Sequence, residues 1–378
     1  MVRGWWRRRS GMDRCGTCQA PLFVSQRLSW DPEGVISIVG SPHNRMVFFE
    51  SECIDQIFRG IEDLIGSPIE HIVIESRARE TRRYIEKIYP GEEVYYERVR
   101  DETLSQKERE EAKEHIRALT QSIIDIGKVY GYGDTRMSDL WERDYPYPWR
   151  VQVTRDPYSL LFTVADNLGS VEACEGRDMW AGYQEIGENT YRIEVYEGEH
   201  PVGLKERLQR KKYGLKPGDI GYARCSECGL PLEVSRHRWD LERGVILDPG
   251  TGRRRAFFGP LSVDAIFHDL EEELGEYIPE KVIEAMRRYC RVAWAGEEWR
   301  RDADTFREMI ALRGLGNLTS FRGDREHLEV LVQNPALHLP LVGAIQALVE
   351  LAYRAEGSNV DWELKEDGDL GVDVRLKR

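Results

Sequence analysis

Apolar positions along this chain follow one pattern twice. Ile54, Ile57, Phe58, Ile61 and Ile65 fall at i, i+3, i+4, i+7 and i+11, which is a single stripe along a helix. Gly66 follows as the residue that stops it. Val263, Ile266, Phe267, Leu270 and Leu274 repeat the stripe, and Gly275 ends it. Ahead of the first stripe, 21–25 and 34–39 carry β character, with turns at Asp31-Pro32 and Gly40-Ser41-Pro42. Behind it the pattern predicts a helix over 69–89 with a solvated Glu/Arg face. A long helix is predicted over 101–129, with Ile116, Leu119, Ile123 and Ile126 on one side. A strand begins at 151–153 and breaks at Asp156-Pro157; a short helix over 165–173 and a strand over 191–196 follow.

The likeness of the two halves extends to the residues. Cys15-Gly-Thr-Cys18 returns as Cys225-Ser-Glu-Cys228, Pro21-Leu22 as Pro231-Leu232, and Trp30-Asp31 as Trp239-Asp240. Gly34-Val35-Ile36 returns as Gly244-Val245-Ile246, and Phe48-Phe49 as Phe257-Phe258. Between Cys15 and Glu75, 25 positions are identical at an offset of 209 or 210, where average composition gives roughly four. Later segments match more loosely: Gly131-Tyr132-Gly133 with Gly314-Leu315-Gly316, and Asp156-Pro157 with Asn334-Pro335. The offset falls from 209 to 178 on the way, so the first repeat carries 31 extra residues, in the region of the charged helix and an aromatic stretch.

These patterns predict two tandem copies of a unit that mixes helices and short strands, each led by a CxxC knuckle, packed as a pseudo-dimer. The first copy spans 12–197 and the second 223–378. A basic linker over 198–222 (Lys205, Arg207, Arg210, Lys211, Lys212) joins them. A length of 378 residues suits two domains.

Charge narrows the partners. A net charge of −13 argues against a general nucleic-acid or anionic-membrane binder. The exception is Trp5-Trp6-Arg7-Arg8-Arg9, ahead of a second methionine, Met12; it reads as a frayed tail or an upstream start. Residues 1–11 hold no apolar signal run. The longest apolar tract, 337–353, is interrupted by Pro340, Gln346 and Glu350 and is short for a membrane span. A cytoplasmic protein is expected. Its cysteines then read as metal or redox chemistry in a reducing compartment, since four of the seven sit in CxxC pairs.

Two cysteines two apart on a turn can face one metal, and a closed tetrahedral site needs four ligands. One arrangement joins Cys15, Cys18, Cys225 and Cys228 around a zinc on the pseudo-twofold axis; an iron–sulfur cluster would use the same thiolates. The other lets each pair recruit neighbours: His43, Cys53 or Asp31 in the first copy, His237 or Asp240 in the second. Cys53, at a helix start, is either a reactive thiol or an inert buried one. The sequence holds no phosphate loop, GxSxG elbow, HExxH or Rossmann fingerprint.

The aromatic stretch distinguishes the copies. Tyr130, Tyr132, Trp141, Tyr145, Tyr147 and Trp149 are candidates to line a pocket for a flat or apolar ligand, with Arg136 and Arg143 for an anionic group. The corresponding tract of the second copy has only Phe321. The first copy is therefore the expected binder and the second the scaffold. The competing reading packs these rings on the core.

Three segments carry a family resemblance: the Gly-aromatic-Gly turn at 127–133, Val151-x-Val153-x-x-x-Pro157, and Ala165-Asp166-x-Leu168-Gly169-x-Val171-Glu172-Ala173, with their counterparts at 314–316, 330–335 and 344–350. With these the chain resembles the 4-vinyl-reductase-type domain, a class of predicted hydrocarbon-binding proteins. The resemblance implies an α+β fold, each copy a helix-plus-antiparallel-sheet domain, with helices packed on the sheet around a small apolar pocket. It also implies aromatic-ligand sensing or a role in tetrapyrrole reduction, cysteine-bound zinc and dimerisation. That family carries its zinc cysteines toward the domain's C-terminal end, whereas these CxxC pairs lead each copy, so no zinc ligand is carried over. Two functions are expected. One is a zinc-containing binding or sensor protein for a small aromatic or apolar ligand, signalling through a protein partner, with or without further homo-oligomerisation. The other is a metal- or thiol-dependent enzyme or accessory factor of small-molecule or tetrapyrrole metabolism.

Overall fold

Both apolar stripes are helices, and each stands at the same place in a repeated order of elements. A computed structural model describes residues 13–143, 145–198, 214–296, 302–324 and 326–377. The leader at 1–11 and most of the linker, including its basic run, lie outside them. The first half runs through α1 (Leu22–Arg27), β1 (Leu28–Asp31), β2 (Val35–Ile38) and β3 (Ser41–Glu50), then α2 (Glu52–Ile65), α3 (Glu70–Ile88), α4 (Glu93–Arg100) and α5 (Gln106–Tyr130). It closes with β4 (Asp134–Met137), β5 (Val151–Arg155), α6 (Leu160–Glu175), β6 (Met179–Gly187) and β7 (Thr190–Glu197). The second half opens with α7 (Leu232–Ser235), β8 (Arg238–Asp240), β9 (Val245–Leu247) and β10 (Arg254–Phe258), followed by α8 (Pro260–Leu274), α9 (Ile278–Ala293) and α10 (Ala303–Leu312). It ends with β11 (Asn317–Gly323), β12 (His327–Gln333), α11 (His338–Tyr353), β13 (Ser358–Leu364) and β14 (Leu370–Leu376).

The protein is α+β, with helices on antiparallel sheets. Two four-stranded sheets share one topology, β4-β5-β7-β6 and β11-β12-β14-β13. A six-stranded sheet, β1-β2-β3-β10-β9-β8, joins the halves. At its centre β3 and β10 run antiparallel, with Phe48 opposite its own repeat partner Phe257. Their rings stack 4.4 Å apart at 20°.

Local chemistry explains most boundaries. Gly66 ends α2 at φ 73°, and Gly131 ends α5 at φ 89°, a backbone region that costs an L side chain energy. α5 starts later than the periodicity predicts, at Gln106, because Ser105 and Glu108 form a reciprocal capping box; α4 is a separate helix before it. The segment 21–25, expected as strand, is helical in α1. There the Leu22 N–H bonds back to the Asp13 carbonyl and Ser25 Oγ donates to the Leu22 carbonyl, so local bonds override the β pattern. α6 begins five residues before the expected 165, capped by Ser159 Oγ, which accepts from the Phe162 N–H.

The halves interlock. The Gly316 N–H donates to the Gly34 carbonyl at 3.0 Å, and the Gly133 N–H to the Gly244 carbonyl at 2.9 Å. Arg45 donates to the carbonyls of Gly314, Asn334 and Pro335, and Arg254 donates to those of Asp156 and Pro157. The strands leading each repeat thus rest on the body of the other repeat. α2 packs on α9, and α8 on α3. The largest core accordingly mixes Phe49, Ile57 and Phe58 with Phe267, Val332 and Leu370.

Candidate functional site

Each knuckle is a tight turn closed by its own backbone. The Cys15 N–H donates to the Ala20 carbonyl and the Gln19 N–H to the Cys15 carbonyl; the second copy uses Cys225 to Leu230 and Gly229 to Cys225. The turns are tied crosswise, Arg14 Nη2 donating to the Trp239 carbonyl and Arg224 Nη2 to that of Trp30. This brings Cys15 Sγ to 3.7 Å from Cys225 Sγ and Cys18 Sγ to 3.6 Å from Cys228 Sγ. All four sulfurs lie within 4.8 Å of one another. Tetrahedral bonds of about 2.3 Å put thiolate sulfurs about 3.8 Å apart, so this cluster can hold one metal ion. The Cys225 thiol is lowered to about 7 by the backbone N–H groups of Cys228 and Glu227, whereas burial pushes the Cys18 thiol up to about 12 and raises that of Cys228; a bound cation would have to draw those protons off.

None of the alternative ligands joins the cluster. His43 is exposed. Asp31 accepts from Ser29 Oγ and Ser37 Oγ. His237 turns Nδ1 to the Val234 carbonyl, and Asp240 accepts from the Arg243 N–H. Cys53 is buried, lies 3.4 Å from Met286 Sδ, and has its thiol pushed well up by burial. That is the inert reading and not the reactive one.

A cavity of about 300 Å³ opens between α3, α5, α6 and the start of α8. A smaller chamber of about 110 Å³ adjoins it, sharing Ile123, Gly127, Tyr132, Asp166 and Ser170 as walls. One polar group stands where they meet. Asp166 accepts from Arg77 Nε at 2.7 Å, Thr81 Oγ1 at 2.7 Å and Tyr158 OH at 3.0 Å. Arg77 also donates to Ser262 Oγ from the other repeat. Tyr132 stacks on Tyr158 at 4.2 Å. Burial opposes the charge on Arg77, but Asp166 more than offsets this and holds it above the ordinary arginine value. Burial pushes the Tyr132 and Tyr158 phenols up, keeping both neutral donors.

The structure takes only part of the expected aromatic set to this cavity. Tyr130 lines the larger chamber, Tyr132 both, and Trp149 the smaller. Trp141, Tyr145, Tyr147, Arg136 and Arg143 line neither. The stretch folds as two short 3₁₀ turns over a separate core. Trp141 is 6% exposed and tilts on Trp149, while Tyr147 lies under the Arg150 guanidinium. Tyr145 is half-buried. Arg136 pairs with Asp134 and Arg143 with Asp139, so neither is free for an anion at the cavity.

The residues that sequence reasoning missed are Arg77, Thr81, Tyr158, Asp166, Asn167 and Ser262. A position-by-position reading of the two repeats carries their signal. At offsets of 209 and 178, Arg77 matches Met286, Thr81 matches Cys290, Ser262 matches Cys53, Tyr158 matches Ala336 and Asp166 matches Ala344. Tyr132 matches Leu315 in the aligned turns. In the second lobe these apolar counterparts close around a space of only about 30 Å³, lined by Cys53, Met286, Leu315 and Ala344 among others.

No family model matches this sequence, and no curated protein does. Similar solved chains are H-NOX proteins. A Cs H-NOX mutant carrying the unnatural amino acid 4-cyano-L-phenylalanine is 16% identical, with a TM-score of 0.25 over 32% of this chain and 75% of that one. A T. Tengcongensis H-NOX mutant is 14% identical, with a TM-score of 0.24 over 32% and 75%. Likeness this low carries no argument. Among the described residues, no helix is long and apolar enough to cross a membrane.

Proposed function

We propose that this chain is a small-molecule-binding or sensor protein of the 4-vinyl-reductase-like class, stapled by a structural zinc. The observation that carries the binding reading is the contrast between lobes: a partly polar cavity of about 300 Å³ in the first, against an apolar remnant of about 30 Å³ at the matching place in the second. Evolution of a scaffold alone gives no reason to keep Arg77, Asp166 and Tyr158 together at the wall of a cavity, because partly enclosed charge and hydroxyl groups are expensive to hold. Aromatic and aliphatic walls with a few fixed polar groups are the ordinary composition of a ligand site. Zinc is favoured over an iron–sulfur cluster by sulfur spacing, since a cluster places several irons and sulfides between the thiolates and spreads them. Seven unpaired cysteines suit a reducing cytoplasm.

The test uses N-phenyl-1-naphthylamine, an uncharged fluorescent dye of suitable size. Wild-type protein should bind it with an emission increase. Ser170→Phe, at a wall shared by both chambers, should abolish binding and keep the circular dichroism spectrum. Equal binding by the variant would place the dye elsewhere and remove this reading.

A further inference from the structure

Asn167 sits on α6 with 4% exposure and lines the smaller chamber. Among the described residues, neither its Oδ1 nor its Nδ2 has a hydrogen-bond partner. A buried amide with both ends unpaired is costly and needs a reason. Its counterpart in the second lobe, at offset 178, is the fully buried Ile345, so the fold itself does not require an amide there. Thr120, Thr135, Gln152 and Thr163 line the same chamber, which makes it a room of neutral hydrogen-bonding groups.

Asp166, the charged residue that lines the smaller chamber, is already matched. Asp166 receives four donor atoms, from Arg77 Nε and Nη2, Thr81 and Tyr158. Arg77 spends its remaining Nη1 on Ser262. In the smaller chamber an ionised ligand head would lose its hydration without meeting a free counter-charge. The larger chamber instead offers Ile85, Ile88, Ile126 and Leu261.

We propose that the cavity takes an uncharged amphiphile whose head presents a donor beside an acceptor, such as a carboxamide, lactam or imide edge. The head pairs with Asn167 in the smaller chamber, and an apolar body fills the larger one. This rests on the reading that the cavity is the binding site. Two oriented hydrogen bonds to one side-chain amide reject an analogue lacking either partner, because the orphaned atom then stays buried.

Calorimetric titration with octanamide, 2-nonanone and octanoate tests it. Wild-type protein should bind octanamide at least about tenfold more tightly than 2-nonanone, which lacks the donor, and octanoate more weakly than either. Asn167→Leu should bring octanamide and 2-nonanone within about twofold of each other, and should raise the Tm of the ligand-free protein. Equal affinities in wild type, tightest binding of octanoate, or an amide preference surviving in Asn167→Leu would each overturn the proposal. If the dye above binds and octanamide is not preferred, this inference falls alone. If neither the dye nor any of the three binds, the cavity reading falls and takes this inference with it.

Discussion

Glu50 and Asp264 are enclosed carboxylates with opposite fates. Burial pushes Glu50 up, yet Arg255 and Arg313 outweigh it and hold the group at about 2. Its folded value lies below the ordinary 4.5. The stabilisation it gives is therefore complete above pH 4.5 and is lost as pH falls toward 2. Asp264 has Oδ1 enclosed without a hydrogen-bond partner among the described residues, and burial pushes it to about 7 with Arg45 offsetting only part. Its stabilisation is complete below 3.8 and is lost as pH rises through 7. Stability should fall between pH 5 and pH 7 in wild type, and Asp264→Asn should flatten that fall. Urea unfolding at the two pH values measures it; an unchanged slope would assign the loss to other groups.

Among elements, close approaches decide what can be substituted. α6 crosses α3 at Gly169, where an added Cβ would stand 2.1 Å from the Ala78 carbonyl oxygen. Gly169→Ala should therefore push the helices apart and lower Tm, although alanine normally favours a helix by up to about 1 kcal/mol over glycine. Phe257→Ala removes a fully buried ring from the centre of the six-stranded sheet, with an expected cost of about 3–5 kcal/mol by denaturant unfolding. Helices of this kind are legible in the sequence because an apolar stripe such as Ile54–Ile65 needs only local periodicity. The strand β6 leaves no comparable local signal, because its alternation is diluted by exposed polar residues such as Gln184 and Glu185. β14 does carry one, Leu370, Val372 and Val374 alternating with Gly371, Asp373 and Arg375, but its pairing is settled by distant partners. The aromatic stretch is apolar as its composition says, but it covers a different surface from the one expected. Composition marks Trp141 and Tyr147 for burial without saying which core receives them. Asp166 and Arg77 are hidden for the opposite reason, since charged residues on a helix usually face water.

At the scale of the molecule, the four-cysteine cluster fastens the two knuckles at one end of the joined halves. Purified protein should contain about one zinc per chain with no visible absorption. Cys225→Ser should lose the metal and lower Tm, as should a chelator on the wild type; brown protein with iron and sulfide would replace zinc by a cluster. The interlock makes a separate prediction. Proteolytic cleavage within 199–213 should leave fragments that co-elute in gel filtration under reducing conditions, because each rests on the other through Gly34–Gly316 and Gly244–Gly133. Fragments that separate freely would contradict that arrangement. Gly34 and Gly244 take positive φ values of 73° and 59°, and a Cβ on either would meet a carbonyl oxygen at 2.3 or 2.2 Å. That contact has a meaning for synthesis as well. The ribosome makes Gly34 some 280 residues before Gly316, so the leading strands emerge long before the surface that will cover them exists. Until then their apolar underside is open, and the nascent chain offers chaperones a window that closes only once the turn at Gly316 has emerged.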